Sequence, residues 1–266
     1  TAVFGLDNHL IQTRAGDITA IDAPAIDIEN SGIMIDLEQV SSSNSPTYGI
    51  RLVDTNKDAV SGHPIIARTF TVRGTPVVGT QVGATPFGGV IEDAAAEGIL
   101  LQNAGEVSLS WMTLDNNQFG IRVLNDLQDM AGVTRVDDDQ FVRFLNGDMI
   151  DSVVRGIDAT NLTLLDVEDS IFTDNGTLQS IYVTYTQRPN DPTTTRYSEF
   201  QNRFEPFIVN LQRNEFFDDV GDAVLIENQT TSAAHETHIA VNVEDNEFTL
   251  NANSGRGFAF DWDGPA

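Results

Sequence analysis

Cysteine is absent from the 266 residues, which excludes thiol catalysis, cysteine-ligated metal sites and disulfide stapling. Positive charge is scarce: 14 Lys and Arg stand against 40 Asp and Glu, a formal net charge of -26. A field of that sign repels nucleic acid, anionic lipid and uronate-type polysaccharide, while it tolerates salt and attracts divalent cations. The acids are scattered, not gathered in a tail, so the charge belongs to the whole surface. No run of about 18 apolar residues exists to span a membrane as a helix, and direct membrane insertion is not expected. The opening TAVFGLDNHL lacks a basic stretch followed by an apolar one, and neither end offers a capping helix. The expectation is a module of a larger chain with further domains, carrying no signal peptide of its own. Helical periodicity is weak throughout; EDAAAEG at 92–98 reads as a turn or short helix, and VLNDLQDMAG at 123–132 as another. A doubly wound sheet needs crossover helices of about ten residues or more between its strands, so nucleotide-binding folds of that plan are excluded.

What the chain does contain is repetition. A glycine precedes an alternating apolar run in GIMID at 32–36, GIRLV at 49–53, GILLQN at 98–103 and GIRVLN at 120–125, with relatives in SIYVTY at 180–185, GDAVLIEN at 221–228 and GFAFDW at 257–262. A second phrase falls between them: VEDSIF at 167–172, LQRNEF at 211–216 and VEDNEF at 243–248. Repetition at intervals of tens of residues marks a solenoid, and the period-two alternation marks half-buried strands. The intervals from Gly32 to Gly49, Gly98 to Gly120 and Gly156 to Ser180 each read as one coil; that from Gly49 to Gly98 holds one coil with loops, or two. Residues 126–147 read as a further coil with VTRV and FVRFL as strands. Gly- and Pro-rich breaks place loop insertions near 61–97, 186–203 and 228–237, with ARTFTVRG at 67–74 as a strand inside the first.

In this reading Phe172, Phe216 and Phe248 recur at one inward position and stack through the core. Asn214 and Asn246 of the same phrase satisfy buried turn amides. Replacing Phe216 with Ala is then expected to leave a cavity and cost roughly 3–5 kcal/mol.

The pieces GILLQNAGEVSLSWMTLDNNQFGIRVLN at 98–125, GIDATNLTLLDVEDSIFTDNGTLQSIYV at 156–183, FIVNLQRNEFFDDVGDAVLIEN at 207–228 and IAVNVEDNEFTLNANSGRGFAFDW at 239–262 resemble right-handed parallel β-helix proteins of the pectin-lyase-like superfamily. The resemblance implies an all-β solenoid of residues 1–266 with projecting loops and about eight to ten coils. In composition the chain is closest to bacterial surface proteins, including autotransporter passengers. That implies an extracellular or cell-surface location and a non-catalytic scaffold or adhesive module, with carbohydrate or a cell-surface protein as partner. The same superfamily includes polysaccharide lyases and glycoside hydrolases, so fold alone does not choose.

A lyase of this kind uses calcium held by acids and an Arg or Lys that removes a proton. The matching candidates are Asp137, Asp138 and Asp139, with Arg143 and Arg155 near them in sequence. Within a loop these three acids can converge on calcium through carboxylates and carbonyls; as a solvated acidic loop they do nothing more. Glycoside hydrolysis needs carboxylates on adjacent coils facing one groove. Asp218, Asp219 and Asp222 in NEFFDDVGD are the candidates, but the Gly-His-Gly of the family's hydrolases is missing. His235 and His238 form HETH, the wrong spacing for a zinc hydrolase. No GxSxG elbow and no phosphate-binding GxxxxGK[ST] occurs. For ligand contact, Tyr197 beside Arg196 is the best-placed aromatic, in the loop at 186–203, and Phe87 in PFGG is second, since loops leaving a rigid scaffold carry binding.

Overall fold

The computed structural model describes residues 3–4, 10–55, 69–74, 88–125, 140–176, 178–186, 196–198, 203–205, 207–217, 221–229, 239–249 and 255–262. Among them there is no helix. Apart from the hairpin of Arg196–Ser198 with Arg203–Glu205, the strands form three sheets of nine, eight and eight strands, in which every third strand is a neighbour, and every neighbouring pair in these sheets runs parallel. The chain is a parallel β-helix of eight three-stranded coils and the first strand of a ninth.

One coil shows the plan. Glu97–Gln102 lies in the first sheet, Glu106–Ser110 in the second and Met112–Asp115 in the third. The next coil repeats it with Phe119–Leu124, Phe141–Leu145 and Asp148–Ile150, and the one after with Arg155–Thr160, Leu164–Glu168 and Ile171–Thr173. Alternation turns one side of each strand inward, and equivalent positions fall in rows. Ile26, Ile50, Ile99, Ile121, Ile157, Ile181 and Val224 pair in sequence up the first sheet, and all are buried. The second phrase is now explained: it is the end of a second-sheet strand, a two-residue corner, and the start of a third-sheet strand. Its phenylalanines stack as expected, Phe172 on Phe216 and Phe216 on Phe248, each pair with centroids 4.9 Å apart.

The corners hold residues in the left-handed region. Asp22, Asn44, Asp93, Asn116, Asp151 and Asp174 each follow a third-sheet strand with φ between 49° and 56°. Asx residues tolerate that conformation because their short side chains bond locally. The repeated glycine has a different cause. A Cβ on Gly98 would lie 2.8 Å from the Gly120 carbonyl oxygen, and one on Gly120 would lie 2.6 Å from that of Gly156. The coils approach too closely there for a side chain.

Some sequence readings change and others are resolved. Gly32–Leu37 belongs to the second sheet, whereas Ile50–Val53 belongs to the first, so the interval from Gly32 to Gly49 is not a coil. The true equivalent of Gly49 one coil earlier is Ala25, whose N–H donates to the Gly49 carbonyl. Shared alternation made two different sheets look alike. The interval from Gly49 to Gly98 is one coil, since Ile50 pairs directly with Ile99. EDAAAEG is a corner leading into strand Glu97–Gln102. Phe141–Leu145 is a strand as expected, but it completes the coil begun by Phe119–Leu124; VTRV lies outside the described residues. Within 61–97, Thr69–Val72 and Gly89–Glu92 are integral strands of the second and third sheets.

Candidate functional site on the outer face of the first sheet

The outward rows of the first sheet carry its chemistry. Asp27, Arg51, Leu100, Arg122, Asp158, Tyr182 and Leu225 pair consecutively up the solenoid. Arg51 donates to Asp27 and to Glu29, both at 2.8 Å, and its guanidinium lies 5.9 Å from the Tyr48 ring centroid. Arg122 donates to Glu97 at 2.9 Å and sits 4.8 Å above the Phe119 ring. Arg155 donates to Gln179 at 2.9 Å and Asp158 at 3.1 Å, and sits 4.0 Å over the Tyr182 ring. The Tyr182 hydroxyl donates to the Glu227 carboxylate, which also accepts from Gln229 at 2.8 Å. Burial raises the Tyr182 pKa, and the bond to Glu227 raises it further. Three times an arginine lies on an aromatic ring and bonds to a carboxylate. This cation–π and ion-pair arrangement holds planar groups side by side.

Arg155 is therefore part of this face. Arg143, its partner in the sequence reading, is on the outer face of the second sheet, bonded to Glu106 and 3.7 Å from Asp166. Asp222 precedes the first-sheet strand Val224–Asn228 and binds Arg256, accepting its backbone N–H at 2.6 Å and its guanidinium at 2.8 Å. Those bonds hold the Asp222 carboxyl below its ordinary range. The structure does not bring Arg143, Arg155 and Asp222 together. Asp218, Asp219, Asp137, Asp138, Asp139 and Phe87 lie outside the described residues. Arg196 and Tyr197 belong to Arg196–Ser198, which pairs antiparallel with Arg203–Glu205. This hairpin lies in the chain between first-sheet strand Gln179–Tyr185 and second-sheet strand Phe207–Gln212, where a projecting loop was expected.

Three carboxylates escaped the sequence reading. Asp166, on the second sheet, has its pKa raised by burial and then by the Glu168 charge, against a pull from Arg143. Asp148, on the third sheet, is raised by burial. Asp115 is raised by burial, then by Asp151 and Asp93. Raised acids are the groups that serve as proton donors in active sites; Asp115 and Asp148 share the outer face of the third sheet on adjacent strands, and Asp166 lies on the second sheet. Nothing in the sequence marks an outward Asp that neighbouring side chains will cover. Among the described residues no group of three or more His, Asp or Glu side chains is arranged to hold a metal ion, and no helix is long and apolar enough to cross a membrane.

Comparison of the chain with protein-family models, with curated proteins and with solved structures gives no significant match.

Proposed function

We propose that the chain is a non-catalytic scaffold or adhesive module of a larger bacterial surface protein, working outside the cell. One observation carries this reading: in a chain so poor in cations, Arg51, Arg73, Arg122, Arg143, Arg213 and Arg256 each bond to a carboxylate on an adjacent coil. Groups that a lyase would leave available for its substrate instead serve as crossbars between coils. Each exposed pair contributes little by itself because solvent screens it, but repeated along the stack the pairs stiffen it against sliding. The resemblance in composition to bacterial surface passengers supports the same reading, while the pectin-lyase-like fold is compatible with either role. Contact with carbohydrate or a cell-surface protein falls to segments that leave the stack, including the hairpin with Arg196 and Tyr197.

A second reading, a secreted polysaccharide lyase or glycoside hydrolase, is favoured by Asp166, a raised carboxyl beside Glu168 and Arg143. A screen against neutral and uronate polysaccharides, with and without calcium, separates the two. The scaffold reading expects no product. Product formation abolished by Asp166→Asn, or by changing Asp218 and Asp219, would establish the enzyme. Calcium is proposed as a structural ligand of Asp137, Asp138 and Asp139. It then raises the thermal midpoint beyond magnesium at matched ionic strength, and Asp138→Asn removes the difference. Equal effects from both cations would leave only general screening of the acidic surface.

A further inference from the structure

In its middle coils the outer face of the second sheet gathers charge that its bonds do not balance. Strand Leu164–Glu168 turns Leu165 and Val167 inward and leaves Asp166 and Glu168 on the outer side, two residues apart. In the preceding coil Arg143 stands opposite Asp166. It donates to Glu106, one coil further back, and reaches Asp166 only at 3.7 Å. In the following coil Asn210 stands opposite Asp166 and Gln212 opposite Glu168, so strand Phe207–Gln212 brings no charged group to this face. Arg213, just beyond that strand, donates to Glu168 at 2.9 Å and to Asp169 at 2.7 Å. Among the described residues the cluster sets the carboxylates of Glu106, Asp166, Glu168 and Asp169 against the guanidiniums of Arg143 and Arg213 alone. Asp166 has the weakest share of that positive charge. Its side chain is only 16% exposed, and its buried Oδ1 has no hydrogen-bond partner among the described residues. The Glu168 carboxyl lies within hydrogen-bonding reach of Asp166.

We infer that Asp166 carries a proton and donates it to Glu168, forming a latch that tightens the coils around Leu164–Glu168 in mild acid and loosens them as the pH rises. A buried carboxylate oxygen with no donor costs free energy, and two carboxylates side by side can only accept. One proton turns that contact into an O–H···O bond to a charged acceptor, among the stronger hydrogen bonds. It also removes one negative charge from a cluster that has too many. Arg143 pulls against the proton but is shared with Glu106. A carboxyl whose folded-state pKa is raised makes the folded chain bind more protons than the unfolded one. Its contribution to stability therefore rises as pH falls through the folded value, and the gain is complete below the ordinary carboxylate value. At Asp169 the bond to Arg213 lowers the pKa instead. The latch and the neighbouring crossbar thus respond to acid in opposite senses.

The inference holds whether the module is adhesive or enzymatic. Carbon-13 carboxyl NMR of the 266-residue chain across about pH 3 to 8 tests it. Asp166 is expected to titrate above the ordinary carboxylate range. Glu168→Gln removes the charged acceptor, and the Asp166 midpoint is expected to move down by about one unit, the scale of a coupled pair. Melting curves supply a second readout. Asp166→Asn is expected to melt above the parent at about pH 8, and the difference to vanish by about pH 3. An Asp166 that titrates in the ordinary range overturns the inference. So does a midpoint that stays in place in Glu168→Gln, which would leave burial alone as the cause, or a difference between Asp166→Asn and the parent that does not change with pH. If Asp166→Asn does not fold, the titrations of the parent and of Glu168→Gln decide without it.

Discussion

Two corners of the same coil obey different rules. Between the second and third sheets the chain turns within one or two residues in nearly every coil, as at Glu38, Trp111 or Asp169 and Ser170; the run from Val72 to Gly89 is the exception. Between the first and second sheets the connection is two or three residues at 30–31, 103–105 and 161–163, yet in other coils it runs from Val53 to Thr69, from Leu124 to Phe141 and from Tyr185 to Phe207. At the constant corner, side chains of neighbouring coils satisfy one another. Asn214 donates to the Val167 carbonyl at 2.9 Å and accepts from the Ser170 N–H at 3.1 Å, and Asn246 repeats the donation to Leu211 at 2.8 Å. At the variable corner Asn125 donates to the Asn161 carbonyl at 3.0 Å. Here, however, the buried Tyr185 hydroxyl and both amide atoms of the buried Gln140 have no hydrogen-bond partner among the described residues. A ladder needs the same turn in successive coils. Where the turn changes, the buried polar groups lose their repeat partners, and the outer surface gains its projecting segments.

The largest test of this contrast is Phe216→Ala, which removes the middle of the stack directly after the constant corner. Phe216 is fully buried between Phe172 and Phe248, and its loss is expected to cost about 3–5 kcal/mol. Phe248→Ala, at the open end, is expected to cost less, since that side chain is only partly buried. Denaturant unfolding of both variants decides; equal losses would mean the end coil is sealed. Next in size is Asn214→Ala, which strands the Val167 carbonyl and the Ser170 N–H inside the corner. About 1–3 kcal/mol is expected, and an unchanged midpoint would remove the ladder from the account. At the variable corner the sign reverses. Tyr185→Phe deletes a hydroxyl whose burial raises its pKa and that has no hydrogen-bond partner among the described residues. A gain of about 1 kcal/mol in unfolding free energy is expected; destabilisation would show that the hydroxyl is satisfied.

The smallest effect belongs to the third corner, where Asp222 binds the largely exposed Arg256. Solvent screening keeps Asp222→Asn under about 1 kcal/mol at neutral pH. Bonds to Arg256 depress the folded-state pKa below the ordinary 3.8. The stabilisation is therefore present above 3.8 and is lost as pH falls through the folded value. Parent and variant should converge in strong acid. Asp166→Asn should behave oppositely: its pKa is raised by burial, so the carboxylate destabilises above its ordinary range and the variant gains at neutral pH. Melting curves from pH 2 to pH 8, about the range that spans both titrations, distinguish these two behaviours.

The sequence by itself determined the coil. Period-two alternation fixes which side of a strand is buried, and Phe172, Phe216 and Phe248 recur because one turn geometry recurs. The phrase from Val167 to Phe172 could thus be read as a unit before any sheet was assigned. Only the tertiary structure decided which sheet a strand joins. Gly32 and Gly49 open similar phrases on different sheets because alternation records burial and not the identity of a neighbour. The same limit governs the candidate site. Arg143 and Arg155 are close in the chain but face outward from different sheets, while Arg155 meets Tyr182 and Gln179 across a whole coil. Apart from Arg155 with Asp158, the ion pairs among the described residues join residues one coil apart, and the length of a coil is set by its loops. The distance along the chain therefore does not tell which carboxylate an arginine will meet.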